Sequence, residues 1–184
     1  MEKTLVIHPY DPTTEFLRPI YSGLEGAVVL RGNYTKDYVR QMIEESDRVI
    51  MLGHGSPSGL FSIGKFQYCN NGLIIDESMV AALGRKKNNM YIWCNADQFV
   101  TKHNLKGLYS GMFISEVGEA HYCGLPGTPQ SVVDMSNDSF ARWMGENANM
   151  TLTEIFHNTM DNYEVLAMDN PVADYNAQRM CLAE

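Results

Sequence analysis

The sequence lacks any long uninterrupted run of apolar residues. A helix that crosses a membrane needs about 20 of them, whereas the apolar runs here, such as residues 5–7 and 49–52, are short. The first residues, Met-Glu-Lys, also lack the long apolar stretch and the small-residue cleavage site of a signal peptide. The sequence therefore predicts a cytoplasmic protein with no membrane partner.

Basic residues and cysteines are also few. The chain has 14 Lys and Arg against 22 Asp and Glu, and its formal net charge is -8. Such a surface repels phosphate backbones, so we expect no nucleic-acid partner. The 4 cysteines are scattered without a C-x-x-C pair, which predicts reduced thiols rather than a disulfide framework. With 45% hydrophobic residues, the 184-residue chain can bury a core as one domain.

Short apolar segments alternate with amphipathic ones in the first half of the chain. Continuous runs at residues 5–7, 27–30, 49–52 and 90–93 suit strands that are buried on both faces of a parallel sheet. Apolar residues at helical spacing follow two candidate N-caps, Thr35 and Asp76. A third helix is predicted to begin near Thr13, and Pro19 should make it short or irregular. A fifth strand is predicted at residues 112–115.

These elements predict an α/β fold, a three-layer sandwich with a mainly parallel sheet of about five or six strands. Residues 59–75, rich in Gly, Asn, Phe and Tyr, predict a β-hairpin. Residues from about 131 to 184 are predicted to be mostly helical within one domain that spans residues 1–184. One helix is expected at residues 132–144, and a capping box at residues 151–154 opens another, through about Tyr163. From Asn170 onward, only a turn is expected.

Two of the predicted strands end abruptly in polar residues. Residues 49–52 lead into Gly53-His54-Gly55, and residues 90–93 lead into Cys94. In an open parallel sheet, the carboxyl ends of the strands form the edge where ligands bind. A thiol and an imidazole together suffice for acyl transfer, with Cys94 as nucleophile and His54 as general acid and base. The N–H groups of Gly55 and Cys94 are candidate donors of an oxyanion hole.

This pattern resembles the caspase-haemoglobinase fold of cysteine peptidases, which includes caspases, legumains, gingipains, clostripain-like peptidases, separases and CHAT-domain proteins. Residues 49–55 resemble its strand that closes in His-Gly, and residues 91–94 resemble its strand that closes in Cys. The resemblance covers about residues 4–116. It implies a caspase-like topology and the same roles for His54, Cys94 and Gly55. Caspases have Gln-Ala before the cysteine and Arg-Gly after it, which this chain lacks, so specificity for aspartate is not implied.

Residues near the same edge are candidates for substrate binding. Asp97 follows Cys94, and Glu116 and Glu119 follow the predicted fifth strand, where relatives of this fold build the wall of the primary specificity pocket. An acidic residue there would bind a substrate Lys or Arg, as in the clostripain-like branch. His8, at the end of the first strand, is a further candidate. We therefore expect a peptide or protein substrate, with cleavage after basic residues. The oligomeric state stays open.

Three other interpretations remain open. A caspase-like fold without catalysis would be a ligand- or protein-binding module. The glycine-rich residues 53–59 suggest a phosphate cradle, although the Lys-Ser/Thr ending of a P-loop is missing. Four residues are of metal-binding type but lack the spacing of a metal site: His54, Cys94, His121 and Cys123. We expect neither a metal nor a cofactor.

Overall fold

The short apolar runs become the strands of two sheets in the computed structural model of the chain, which describes residues 2–32, 34–62 and 72–184. The strands are β1 (Thr4–Ile7), β2 (Val28–Leu30), β3 (Arg48–Leu52), β4 (Gly55–Ser56), β5 (Gly59–Phe61), β6 (Leu73–Ile75), β7 (Met90–Ile92), β8 (Gly107–Ser110) and β9 (Met180–Ala183). The larger sheet has six strands in the order β2-β1-β3-β7-β8-β9. Its strand pairs are parallel except β8–β9, which is antiparallel.

Helices cover both faces of this sheet. They are α1 (Pro19–Ser22), α2 (Lys36–Glu45), α3 (Val80–Leu83), α4 (Ala96–Lys102), α5 (Val117–Tyr122), α6 (Gln130–Glu146), α7 (Leu152–Ala167) and α8 (Pro171–Ala177). Met51 of β3 belongs to an apolar cluster with residues of α2, α3 and α4, and Ile50 to a cluster with residues of α6, α7 and α8. Successive strand residues point to opposite faces. The predicted α/β sandwich with a mainly parallel sheet is therefore confirmed.

The first crossover places two loops side by side. From β1 the chain moves outward to β2 and then returns to β3 on the other side of β1. In a parallel sheet, such a reversal opens a crevice at the carboxyl ends of the two central strands. The loops that follow β1 and β3 both begin at this crevice.

The predicted hairpin forms a small separate sheet. Strands β4, β5 and β6 pair in that order, and both pairs are antiparallel. The prediction covered residues 59–75, of which residues 63–71 lie outside the described part of the chain.

The helix expected near Thr13 is divided into two short pieces. A 3₁₀ helix spans Pro12–Leu17, and α1 starts at Pro19. Proline has no N–H to donate, so it suits the first turn of a helix but interrupts a longer one. The segment is therefore irregular, as Pro19 led us to expect.

Two predictions for the second half of the chain were wrong. The fifth strand of the sheet is β8, not residues 112–115. At Ile114, the N–H and the C=O bond to the side-chain amide of Asn176 instead of to a neighbouring strand. The tail after Asn170 contains α8 and then β9, which pairs with β8 from Gly107 to Ser110. An edge strand of this kind is stabilised by its partner, so its own sequence indicates it poorly.

The long C-terminal helices exceed their predicted bounds. Helix α6 spans Gln130–Glu146 instead of residues 132–144, and α7 continues past Tyr163 to Ala167. The Thr151 capping box is present at the start of α7. Within residues 2–32, 34–62 and 72–184, we find no helix with the length and apolar character needed to cross a membrane.

Candidate active site

His54 and Cys94 lie just beyond the carboxyl ends of neighbouring strands. Leu52 of β3 pairs with Ile92 of β7, and each candidate residue follows two positions later. The Gly53 N–H donates to the Ile92 carbonyl at 3.1 Å, so the two segments stay aligned beyond the strands. His54 and Cys94 line one small cavity. The register of the sheet therefore brings the two residues together.

The loop that follows β1 holds the His54 ring. Its Nε2 atom lies 2.6 Å from Thr13 Oγ1 and 3.9 Å from Asp11 Oδ1. The Thr13 hydroxyl in turn donates to Asp11 Oδ1 at 2.6 Å. This contact follows from the topology, because the loops after β1 and β3 meet at the same crevice. His54 thus has polar partners, and 23% of its side chain is exposed.

The Cys94 thiol has a different environment. It is largely buried, donates to the Phe113 carbonyl at 3.4 Å and lies 3.9 Å from Glu119 Oε1. Burial, together with the nearby Glu119 carboxylate, raises the pKa of the Cys94 thiol to about 12. Both effects oppose the charged thiolate. In this arrangement, Cys94 is a neutral thiol at physiological pH.

The cavity between the two residues is closed to a peptide. Its volume is about 20 Å³, which is room for about one water molecule. Apolar side chains form much of its wall, including Phe16, Leu17 and Phe113. A peptide bond can reach His54 and Cys94 only if some of these side chains move.

Gly55 occupies a position where a side chain has no room. A Cβ atom there would lie 2.2 Å from the Trp93 ring and 2.7 Å from a backbone oxygen. The Phe61 N–H donates to the His54 carbonyl, so Gly55 belongs to a pair of the β4–β5 ladder without mutual hydrogen bonds. Its N–H therefore points away from β5, as an oxyanion donor requires. The roles of the Gly55 and Cys94 N–H groups stay predictions.

A larger acidic pocket adjoins the cavity. Its volume is about 590 Å³, and Phe16 and Ser115 line both spaces. Three carboxylates line this pocket, from Glu116 before α5 and from Asp134 and Asp138 of α6. Residues four positions apart lie on one face of a helix, which is how α6 presents both aspartates. The predicted substrate residue Glu116 is thus beside the cavity, together with two acidic residues that we had not singled out.

The predicted substrate residue Glu119 serves mainly as a helix cap. Its Oε2 atom accepts the Ser115 and Glu116 N–H groups at 2.7 and 3.1 Å, and the Ser115 hydroxyl at 3.0 Å. Its Oε1 atom faces the Cys94 thiol. Glu119 does not line the acidic pocket. Besides capping α5, it acts on the Cys94 thiol, whose pKa it helps to raise.

Asp97 lies away from both spaces. It is in the first turn of α4 and lines neither the cavity nor the acidic pocket. Burial, together with the Asp97 carboxylate, raises the pKa of the Cys181 thiol, which places Asp97 near β9. Its Oδ1 atom is buried and accepts no hydrogen bond from the described residues.

His8 is a structural residue of the core and not a substrate-binding residue in this structure. It is fully buried, with Nδ1 3.0 Å from the Tyr21 hydroxyl and Nε2 3.2 Å from the Thr14 hydroxyl. Burial, together with the Arg31 guanidinium, lowers the pKa of His8 to about 4. The neutral ring lines neither space but supports Thr14, which lines the cavity.

Two pairs of site residues were not predicted from the sequence. The pair Asp11 and Thr13 follows the end of β1, so the rule that ligands bind at the carboxyl ends of strands could have indicated it. Asp134 and Asp138 come from a helix far along the chain. Their spacing shows that they share a helix face, but it does not show which loop that face meets.

The other site types find little support in the geometry. Residues 53–59 run into the β4–β5 hairpin, whereas a phosphate cradle places its glycines before a helix N-terminus. In the described part of the chain, no three His, Cys, Asp or Glu side chains are grouped as a metal site would need.

A scan against protein-family models and a search of curated proteins found no match for this chain.

Proposed function

We propose that the chain is a caspase-like cysteine peptidase that cleaves peptide bonds after basic residues. Cys94 Sγ attacks the scissile carbonyl carbon, and its proton passes to His54. The oxyanion accepts hydrogen bonds from the Gly55 and Cys94 N–H groups. The intermediate then collapses to a thioester on Cys94, and the departing amine takes the proton from His54. A water molecule, deprotonated by His54, hydrolyses the thioester and restores the thiol.

One observation carries this proposal: His54 and Cys94 follow paired strands and line the same cavity. An imidazole and a thiol that share a cavity are a minimal unit for acyl transfer. The order of elements also supports it. The β3 strand, a hairpin, a helix and the β7 strand succeed one another in the order that the sequence resemblance implies.

The acidic pocket supports the choice of basic substrates. Its three carboxylates lie next to the cavity, and its volume of about 590 Å³ exceeds that of a Lys or Arg side chain. Asn137 also lines the pocket, and its buried Oδ1 atom accepts no hydrogen bond from the described residues. Acceptors grouped in this way favour a ligand with several N–H donors and a positive charge.

The closed cavity defines what activation must change. A thiol with a pKa of about 12 supplies few thiolates near pH 7. In the proposed mechanism, binding of a basic side chain in the acidic pocket moves Phe16, which lines both spaces. This movement admits the peptide bond beside Cys94 and lets the proton pass directly to His54 during attack.

The test is cleavage of fluorogenic peptides that differ only in the residue before the scissile bond. We expect cleavage after Lys or Arg, none after Asp, and complete loss in Cys94→Ala. Activity that survives in Cys94→Ala contradicts the mechanism. In the double variant Asp134→Asn, Asp138→Asn, kcat/KM for the basic peptides should fall about tenfold, the effect of about 1.4 kcal/mol of lost binding. Asp161→Asn, on the exposed side of α7, is the matched control.

The environment of Cys94 favours a second candidate, a caspase-like module that binds a ligand or a protein without catalysis. A buried thiol beside a carboxylate is typical of an unreactive cysteine. The two candidates differ in one measurement made during peptide binding. Under the peptidase proposal, a peptide with a basic residue is cleaved. Alternatively, when the peptide occupies only a small fraction of the sites, it increases the rate at which Cys94 is alkylated. A module that only binds gives a melting-temperature shift with neither effect.

A further inference from the structure

The structure points to a second role for the Asp11-Pro-Thr13 segment, besides capping a short helix. Asp11 caps the 3₁₀ helix Pro12–Leu17, because its Oδ1 atom accepts the Thr13 N–H at 2.9 Å and the Thr13 hydroxyl at 2.6 Å. A cap alone would leave the other side of that hydroxyl to solvent. Instead, Thr13 Oγ1 lies 2.6 Å from His54 Nε2, across 41 positions of the sequence.

A second motif in the same chain shows what such a cap looks like without this contact. Asp76 Oδ1 accepts the Ser78 N–H at 2.9 Å and the Ser78 hydroxyl at 2.6 Å, at the start of the 3₁₀ helix Glu77–Met79. There, the hydroxyl accepts a hydrogen bond from Arg40 at 3.2 Å, away from the cavity. The two caps have equal geometry, so capping explains the Asp11–Thr13 bonds. It does not explain the His54 contact.

The protons in this chain of contacts can be assigned by counting donors. The Thr13 hydroxyl has a single proton. It donates this proton to the Asp11 carboxylate, whose Oδ1 atom lies 2.6 Å away. The Asp11 pKa lies below its usual value, chiefly because of this hydrogen bond, so the carboxylate is an acceptor only. At 2.6 Å from the same hydroxyl, His54 Nε2 must therefore be the donor.

We propose that Asp11 and Thr13 are positioning residues that fix His54 as its Nε2–H tautomer and leave Nδ1 as the proton-exchanging nitrogen. This inference deepens the proposed function and rests on it for its catalytic meaning. When Nδ1 takes the proton of the thiol, the imidazolium keeps its bond to Thr13 and lies 3.9 Å from the Asp11 carboxylate. The loop thus orients the base.

The direct test is ¹⁵N NMR of the histidine side chains at a pH where the rings are neutral, with His54 assigned by its loss in His54→Gln. We expect an unprotonated Nδ1 and a protonated Nε2. In Asp11→Ala, the Thr13 hydroxyl loses its acceptor and can donate to the ring, so the Nδ1–H tautomer should appear. A native spectrum with Nδ1 protonated overturns the proposal, as does an unchanged tautomer in Asp11→Ala. Asp76→Ala loses the equivalent cap and should leave His54 unchanged.

Kinetics give the second readout. In Thr13→Ala, kcat on a basic peptide should fall about 10- to 100-fold with KM nearly unchanged. This loss is smaller than most of the ~10²–10⁴ that a general base contributes, because the base itself remains. Thr13→Ser restores the hydroxyl and should restore kcat, whereas Ser78→Ala should have no effect. Equal loss in Thr13→Ala and Ser78→Ala, or no rescue by Thr13→Ser, reduces the contact to a structural one. If no peptidase activity exists at all, the NMR result still decides the tautomer, so the two failures are distinguishable.

Discussion

The two sides of the small cavity differ in how far they are prepared for catalysis. Around His54, the partners are hydroxyl and carboxylate groups of a loop on the adjacent strand, and the ring is partly exposed. Around Cys94, the partners are a carbonyl oxygen and a carboxylate, and the thiol is largely buried. The first setting holds the imidazole ring in place, and the second opposes a charged thiolate. Under the proposed function, activation of this site therefore requires a change around Cys94 and not around His54.

The largest expected effect concerns the reactivity of Cys94. Its raised pKa of about 12 leaves about 10³-fold less thiolate than an ordinary cysteine has at pH 8. The higher nucleophilicity of a more basic thiolate offsets part of this loss, and burial adds steric protection. We expect iodoacetamide to alkylate Cys94 about 10²- to 10³-fold more slowly in the native protein than in denaturant, measured by mass spectrometry of digested samples. Equal rates in the two states would show that the cavity is open.

The next prediction concerns His8, which supports the His54 side of the cavity through Thr14. Its pKa of about 4 means that the native ring stays neutral while the unfolded chain binds a proton below about pH 6.5. The free energy of unfolding should therefore fall by roughly 3 kcal/mol as the pH drops from 6.5 to 4. His8→Gln should remove most of this fall, measured by urea denaturation across the pH range. His157→Gln, on the exposed side of α7, should keep it.

Gly55 follows His54 and packs against the ring of Trp93, the residue before Cys94. In Gly55→Ala, the new Cβ would collide with the Trp93 ring, which must shift. Overpacking of this kind costs about 2 kcal/mol, and we expect a loss of that size in thermal or urea unfolding. Gly118→Ala is the control, because a Cβ built there has no atom within 4 Å apart from its chain neighbours and the backbone of its own helix. Similar stability of the two variants would mean that the glycine is not required by packing.

Glu119 has the smallest expected effect, and it acts on the thiol. Glu119→Gln removes the charge 3.9 Å from Cys94 Sγ but keeps an oxygen that can cap α5. Alkylation of Cys94 at pH 8 should increase about three- to tenfold, because the carboxylate charge that opposes the thiolate is gone while the burial remains. Glu116→Gln, in the same turn but directed to the acidic pocket, should leave the rate unchanged. A larger effect of Glu116→Gln would reverse the assignment of the two carboxylates.

Much of the fold could be predicted because local pattern and burial agree. The strands that carry His54 and Cys94 are continuous apolar runs, and β3 is buried along its whole length. Where tertiary contacts override the local pattern, the prediction was wrong. Residues 112–115 look like a strand, but Asn176 from α8 takes the backbone groups of Ile114. Strand β9 exists because β8 offers it an edge.

The same division applies to the candidate site. That His54 and Cys94 would lie near one another followed from two strand ends on one edge of a parallel sheet. The different environments of His54 and Cys94 could not be predicted in this way. Phe113 and Glu119, which contact Cys94, come from the chain after β8, and Thr13, which contacts His54, comes from the loop after β1.

The sequence by itself determined which residue types end the central strands, because apolar runs and the glycines around His54 are local features. Only the tertiary structure decided what surrounds them: a polar loop beside the imidazole, and a closed, partly apolar cavity beside the thiol. The physical reason is that the pKa of a thiol and the tautomer of an imidazole depend on groups brought close in space. Sequence spacing carries no information about those groups until the sheet order is known.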